Sequence, residues 1–118
     1  MEFQRLLTQL LEKVDGALAA SFCGADGIRV ETVTFREDLE VAEIEVHIAT
    51  MLKIVNRVVG NLEVGEIRAF LFEAEKMVGL LEKCGKGYFI AVLLKPEGNI
   101  GRARFELRKL SKKLAKET

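Results

Sequence analysis

Seven residues in the last third of the chain, Tyr88 to Leu94, read YFIAVLL. Every position after Tyr88 is apolar, so neither face of an extended segment here can be left in water. A strand of this kind must lie inside a sheet and be covered on both sides. In a short chain that demand points to one sheet with helices packed on each face. The length agrees, since 118 residues is the size of a single domain. No stretch reads as a linker, a repeat or a low-complexity segment, so one domain over residues 1–118 is expected.

The rest of the chain supplies the other layers. Phe3, Leu6, Leu7, Leu10, Leu11 and Val14 recur at helical spacing and open the chain with an amphipathic helix, which Asp15-Gly16 ends. Ala17 to Cys23 (ALAASFC) is a small, mostly apolar run that suits a buried strand. Asp26-Gly27 is a hairpin signal. The next strand, Ile28 to Thr34, alternates, with Ile28 and Val30 on one face and Arg29 and Glu31 on the other, as at a sheet edge. Glu37 to Asn61 is the longest helix. Val41, Ile44, Ile48, Met51, Leu52, Val55, Val58, Val59 and Leu62 form its apolar stripe. Its acidic start suits the positive end of the helix dipole. Gly65 to Ala74 and Lys76 to Glu82 read as strands joined tightly at Glu75. YFIAVLL follows the turn Cys84-Gly85-Lys86-Gly87, and Pro96-Glu97-Gly98 precedes a basic helix. The order is α-β-β-α-β-β-β-α. The expected fold is α/β (α+β), a five-stranded, mainly antiparallel sheet with helices on both faces.

Several function classes have little support. The 18 acidic and 18 basic residues balance, which argues against DNA or other nucleic acid as the main partner. Cys23 and Cys84 match no metal or redox spacing and read as reduced, partly buried thiols of a cytoplasmic protein. His47, the one histidine, has no nucleophile or carboxylate fixed beside it by spacing. Gly85-Lys86-Gly87 lacks the frame of a phosphate-binding loop, and a hairpin turn explains its glycines. Glu43 and Glu45, or Glu73 and Glu75, have ordinary surface spacings. No catalytic residue, metal site or cofactor is expected, and no leader or membrane-spanning run is read in the chain.

Two surfaces point instead to association. Ala42, Ala49 and Gly60 line up beside the apolar stripe of the long helix, with Asn56 nearby, and small residues let a second helix approach closely. The strand Gly65 to Ala74 is long and apolar through Ile67, Phe70, Leu71 and Phe72, with only Arg68 to blunt it. If this strand is an edge, it is an unprotected apolar one, which pairs readily with another chain. A two-fold homodimer is expected from both features. The closing segment NIGRARFELRKLSKKLAK packs through Ile100, Ala103, Leu107, Leu110 and Leu114. Phe105 falls on its basic side, which a solvated charged face does not explain; contact with a membrane or an acidic protein is the alternative.

The stretches DGALAASFCGADGI (Asp15 to Ile28) and GEIRAFLFEAEKMVGLLEKCGKGYFIAVLLKPEGNIGRARFEL (Gly65 to Leu107), with the element order, resemble the roadblock/light-chain-seven domain, which includes bacterial regulators of the MglB type. The resemblance runs from about Phe3 to about Leu114. It implies a sheet order 2-1-5-4-3, with the first and last helices on one face and the long helix on the other. It implies a dimer joined through the third strand and the long helix, and a role in binding Ras-like small GTPases or scaffolding larger complexes. On this resemblance the expected partner surface is the solvent side of the long helix, Glu43, His47, Thr50, Ile54 and Arg57, with Ile54 as the apolar anchor. A structural dimer without a GTPase, and a membrane or nucleic-acid adaptor using the basic helix, are the alternatives.

Overall fold

Eight elements run in the expected order: α1 (Phe3–Glu12), β1 (Ala17–Gly24), β2 (Arg29–Thr34), α2 (Val41–Asn61), β3 (Ala69–Glu73), β4 (Val78–Cys84), β5 (Tyr88–Leu94) and α3 (Ile100–Ala115). The computed structural model describes residues 2–116. Met1, Glu117 and Thr118, the ends of the expected domain, lie outside the described residues. The strands form one sheet in the order β2-β1-β5-β4-β3, with every pairing antiparallel.

β5 is central, between β1 and β4, and all its residues after Tyr88 are buried. Side chains alternate across a strand, so Ile90, Val92 and Leu94 enter one core while Phe89, Ala91 and Leu93 enter another. The first core is closed by α1 and α3, through Leu7, Leu11, Leu107 and Leu114. The second is closed by α2, through Val41, Ile48 and Leu52. One helix therefore covers one face and two cover the other.

The loops that enter and leave the middle of the sheet are packed together. Gly16 has φ +86°, and a Cβ there would lie 2.6 Å from the Cα of Gly98, so only glycine fits. The Asn99 N–H donates to the carbonyl of Asp15 at 3.0 Å. The Asn99 side chain caps α3 by accepting from the Arg102 N–H at 3.0 Å.

Four elements differ from the expectation by more than one residue, each for a local reason. α1 is helical to Glu12, and Val14 packs into the core from the turn that follows. α2 begins at Val41, because the Arg36 guanidinium grips Asp38 with two hydrogen bonds of 2.9 and 2.8 Å and holds this stretch as a loop. Those bonds also keep the Asp38 carboxyl below the usual carboxylate range. Glu37, Asp38 and Glu40 thus precede the helix. β3 begins at Ala69, because Glu63 and Gly65 take left-handed conformations (φ 57° and 92°) that bend the chain away from the sheet. The β3–β4 turn spans Ala74 to Met77, closed by the Ala74 N–H on the Met77 carbonyl at 2.9 Å, so β4 runs later than expected, to Cys84.

Candidate interaction surface

The apolar seat of α2 on the sheet contains one polar cluster. Glu45 is 8% exposed and points into the sheet beneath the helix. Its Oε1 accepts from Arg29 Nε at 2.9 Å and from Arg29 Nη2 at 2.6 Å. Its Oε2 accepts from the hydroxyls of Thr32, at 2.7 Å, and of Ser21. Burial alone would raise this carboxyl. The bonds from Ser21, Thr32 and Arg29, with the guanidinium charge, outweigh burial and hold it below the usual range. Cys23 lies at the edge of the cluster, 3.0 Å from the Ser21 oxygen, and burial foremost pushes its thiol up to about 11.

A β-bulge assembles this cluster. β1 pairs Phe22 with Glu31 and then Cys23 with Arg29, leaving Val30 as the extra residue. The skip brings Arg29 and Thr32 to the same face of β2, beside Ser21 and Cys23 of β1. Simple alternation would have sent them to opposite faces. Val30 and Ile28 remain 43% and 67% exposed rather than forming an inward face. The reading of Glu45 as an ordinary surface carboxylate is thereby corrected.

Beyond Leu52 no residue of α2 is buried. The expected apolar stripe continues, but the sheet does not follow it. Val55 and Val59 are half-buried, while Val58 and Leu62 are 53% and 64% exposed. A cleft of about 380 Å³ opens between this overhang and the sheet, lined by Leu52, Asn56, Gly60, Ile67, Phe70 and Phe89 among others.

β3 is the sheet edge beside this overhang. The Lys83 N–H donates to the Arg68 carbonyl at 2.8 Å, and the Ala74 N–H to Met77, so even-numbered residues of β3 turn their backbone groups to β4. The N–H and C=O of Ala69, Leu71 and Glu73 therefore point away from the sheet. Phe70 and Phe72 are half-buried against the α2-side core, and Leu71 is exposed on the other face. The Phe72 ring lies over Gly79 on β4.

The residues expected to meet partners fall into place unevenly. Glu43, His47, Thr50, Ile54 and Arg57 are all exposed on the outer side of α2. His47 Nε2 lies 4.0 Å from Glu43, and the Thr50 hydroxyl donates to the Val46 carbonyl at 3.1 Å. Ile54 is 49% exposed, with Val46 and Val58 at 60% and 53% extending the apolar surface. Val46 was not singled out in the sequence, although, like Ile54, it is apolar and off the buried stripe. Of the small residues, Ala42, Asn56 and Gly60 are exposed. Ala49 is buried beneath Gly27, where an added Cβ would come within 3.2 Å of it, and has little surface left for a second chain. Ile67 is half-buried, and the exposed Arg68 makes no ion pair among the described residues.

Among the described residues no group of three or more His, Cys, Asp or Glu could hold a metal ion, and no helix is long and apolar enough to cross a membrane. Gly85 and Gly87 form the β4–β5 turn with positive φ.

Comparison with solved structures agrees with this architecture. A roadblock/LC7 domain from Streptomyces avermitilis superposes with a TM-score of 0.88 at 16% identity, over 99% of this chain and 98% of its own. MglC from Myxococcus xanthus is 29% identical with a TM-score of 0.72, over the full length of both chains. Myxococcus xanthus MglB gives 0.84 at 14% identity, over 98% of this chain and 96% of its own. No protein-family model matches the chain, and no curated protein matches it. The fold is that of the roadblock/LC7 domain, and its structural neighbours include MglB and MglC, in agreement with the resemblance drawn from the sequence.

Proposed function

We propose that this roadblock/LC7-fold protein is a non-catalytic homodimeric adaptor that binds a Ras-like small GTPase and modulates its GTP hydrolysis or localisation. One observation carries the reading: the open edge of β3 lies next to the half of α2 that the sheet leaves uncovered. A second copy related by a two-fold axis would satisfy both at once, strand to strand and helix to helix. The dimer contacts are Ile67, Arg68, Phe70 and Phe72 at the strand, with Ala42, Asn56 and Gly60 on the helix. Ala49, closed within the chain, adds little.

The outer side of the paired α2 helices then forms one continuous platform. Glu43, His47, Thr50 and Arg57 supply its polar contacts, and Ile54 supplies the anchor, flanked by Val46. The structural likeness to MglB and MglC supports a GTPase as the partner. Such a platform would act by holding the switch segments of the GTPase in their hydrolysis-competent arrangement, a shift of population that needs no catalytic side chain from the adaptor. The Glu45 cluster serves this role indirectly, by fixing α2 on the sheet.

Ile54→Asp tests the platform. The substitution places a charge on an exposed site, so the fold and the dimer should persist. GTPase affinity is expected to fall about tenfold or more, as for loss of a central apolar anchor. Unchanged affinity would remove this face of α2 from the proposal.

A further inference from the structure

The outer face of α3 carries a feature that neither the dimer nor the α2 platform uses. Phe105 is 62% exposed and points away from the sheet. The Arg102 guanidinium lies 6.0 Å from its ring centroid. Arg104, Arg108, Lys109 and Lys112 frame a shallow depression around the ring. The one acid of the helix, Glu106, is 4% exposed and is paired with the half-exposed Arg102 at 3.0 Å and Lys13 at 3.7 Å. No negative charge of α3 therefore reaches this face. Arg108 is engaged by Glu82 at 3.2 Å. Arg104, Lys109, Lys112, Lys113 and Lys116 make no ion pair among the described residues.

Packing does not require this arrangement. The inner side of α3 is closed by Ala103, Leu107, Leu110 and Leu114. Nor is the protein basic as a whole, since its net charge is zero. The basicity is local and surrounds an aromatic ring that water would rather not meet.

The geometry selects the partner. Lys109, Lys112 and Lys116 follow Phe105 at helical spacings of four, seven and eleven residues, so ring and ammonium groups lie along one line of the helix. A plane parallel to the helix axis meets them together. The exposed face offers no neutral hydrogen-bonding side chain, because Ser111 is buried and its hydroxyl donates to the Arg108 carbonyl. Reading a peptide or a base edge would need such groups, and a single ring is a poor stacking platform for a nucleic-acid strand. A bilayer with anionic headgroups asks only for a plane of positive charge and an apolar wedge. We propose that the outer face of α3 docks on anionic lipid membrane, with the lysines at the headgroup phosphates and Phe105 inserted below them.

The test is sedimentation of the full chain with vesicles of phosphatidylcholine alone, and of phosphatidylcholine with about one-third phosphatidylglycerol. Binding is expected only to the anionic vesicles, weakening as salt is added. Lys109→Gln with Lys112→Gln should weaken it about thirtyfold and flatten its salt dependence. Phe105→Ala should weaken it roughly fivefold and leave the salt dependence unchanged. All three positions are exposed, and circular dichroism would confirm that the variants are folded. The proposal is overturned if the anionic vesicles are not bound. It is also overturned if Phe105→Ala has no effect while polyglutamate or an oligonucleotide binds equally well, since the face would then be a general polyanion site.

Discussion

Arg29 on the edge strand β2 and Glu45 on α2 are joined by two hydrogen bonds, the shorter 2.6 Å, across the seam between sheet and helix. Glu45 is nearly buried, whereas the Arg29 side chain is 46% exposed. The helix is thus held by a carboxylate whose counter-charge comes from the rim of the molecule.

Removing either partner should loosen α2. Arg29→Met leaves Glu45 with two hydroxyl donors and should cost about 1–2 kcal/mol, while Glu45→Gln gives up the charge-assisted bonds at similar cost. Urea unfolding of both single variants and the double variant measures the coupling. Equal effects of Arg29→Met with and without Glu45 would show that the pair does not act together. The sign of the pH effect follows from the depressed carboxyl. The unfolded chain takes up a proton more readily than the native one, so the contribution is complete above the ordinary value of 4.5 and is lost as pH falls below it. Glu45→Gln should flatten the acid decline of stability, and an unchanged profile would contradict this.

Gly79 and Phe72 make a second dependent pair. A Cβ at position 79 would lie 2.0 Å from the Phe72 ring. Gly79→Ala should displace the ring from the β3 edge and cost about 1–3 kcal/mol. Phe72→Ala in the same chain should recover part of that loss. Thermal unfolding of the three variants decides it, and a neutral Gly79→Ala would contradict the packing.

The β3 edge tests the dimer without disturbing the chain itself. The Leu71 N–H points away from β4, so proline there removes no bond within the sheet. Leu71→Pro should raise the dimer dissociation constant about tenfold or more while the monomer stays folded. Sedimentation of the parent protein as a stable monomer at micromolar concentration would contradict the dimer itself.

These residues also mark where the chain could and could not be read in advance. The doubly apolar β5 and the stripes of α1 and α3 report burial directly, so the layers and the element order were legible, while the edge position of β3 came only with the family resemblance. The Glu45 cluster was not. It depends on the extra residue Val30, which breaks the two-residue period that places side chains on faces. Nor does a helical stripe say how far the opposing sheet extends, so Val58 and Leu62 read as covered although both are exposed. The early start expected for β3 failed because Glu63, a non-glycine residue, takes the left-handed turn.

The central claim is recognition of a small GTPase by the α2 platform. The most direct measurement is a titration against the Ras-like GTPases of the source organism, each loaded with a GTP analogue and with GDP, with hydrolysis followed in parallel. Tighter binding to the GTP form, with hydrolysis altered in proportion to complex formed, is the predicted result. Absence of binding in both nucleotide states would contradict the account and leave a dimer that serves only as a structural part of a larger assembly.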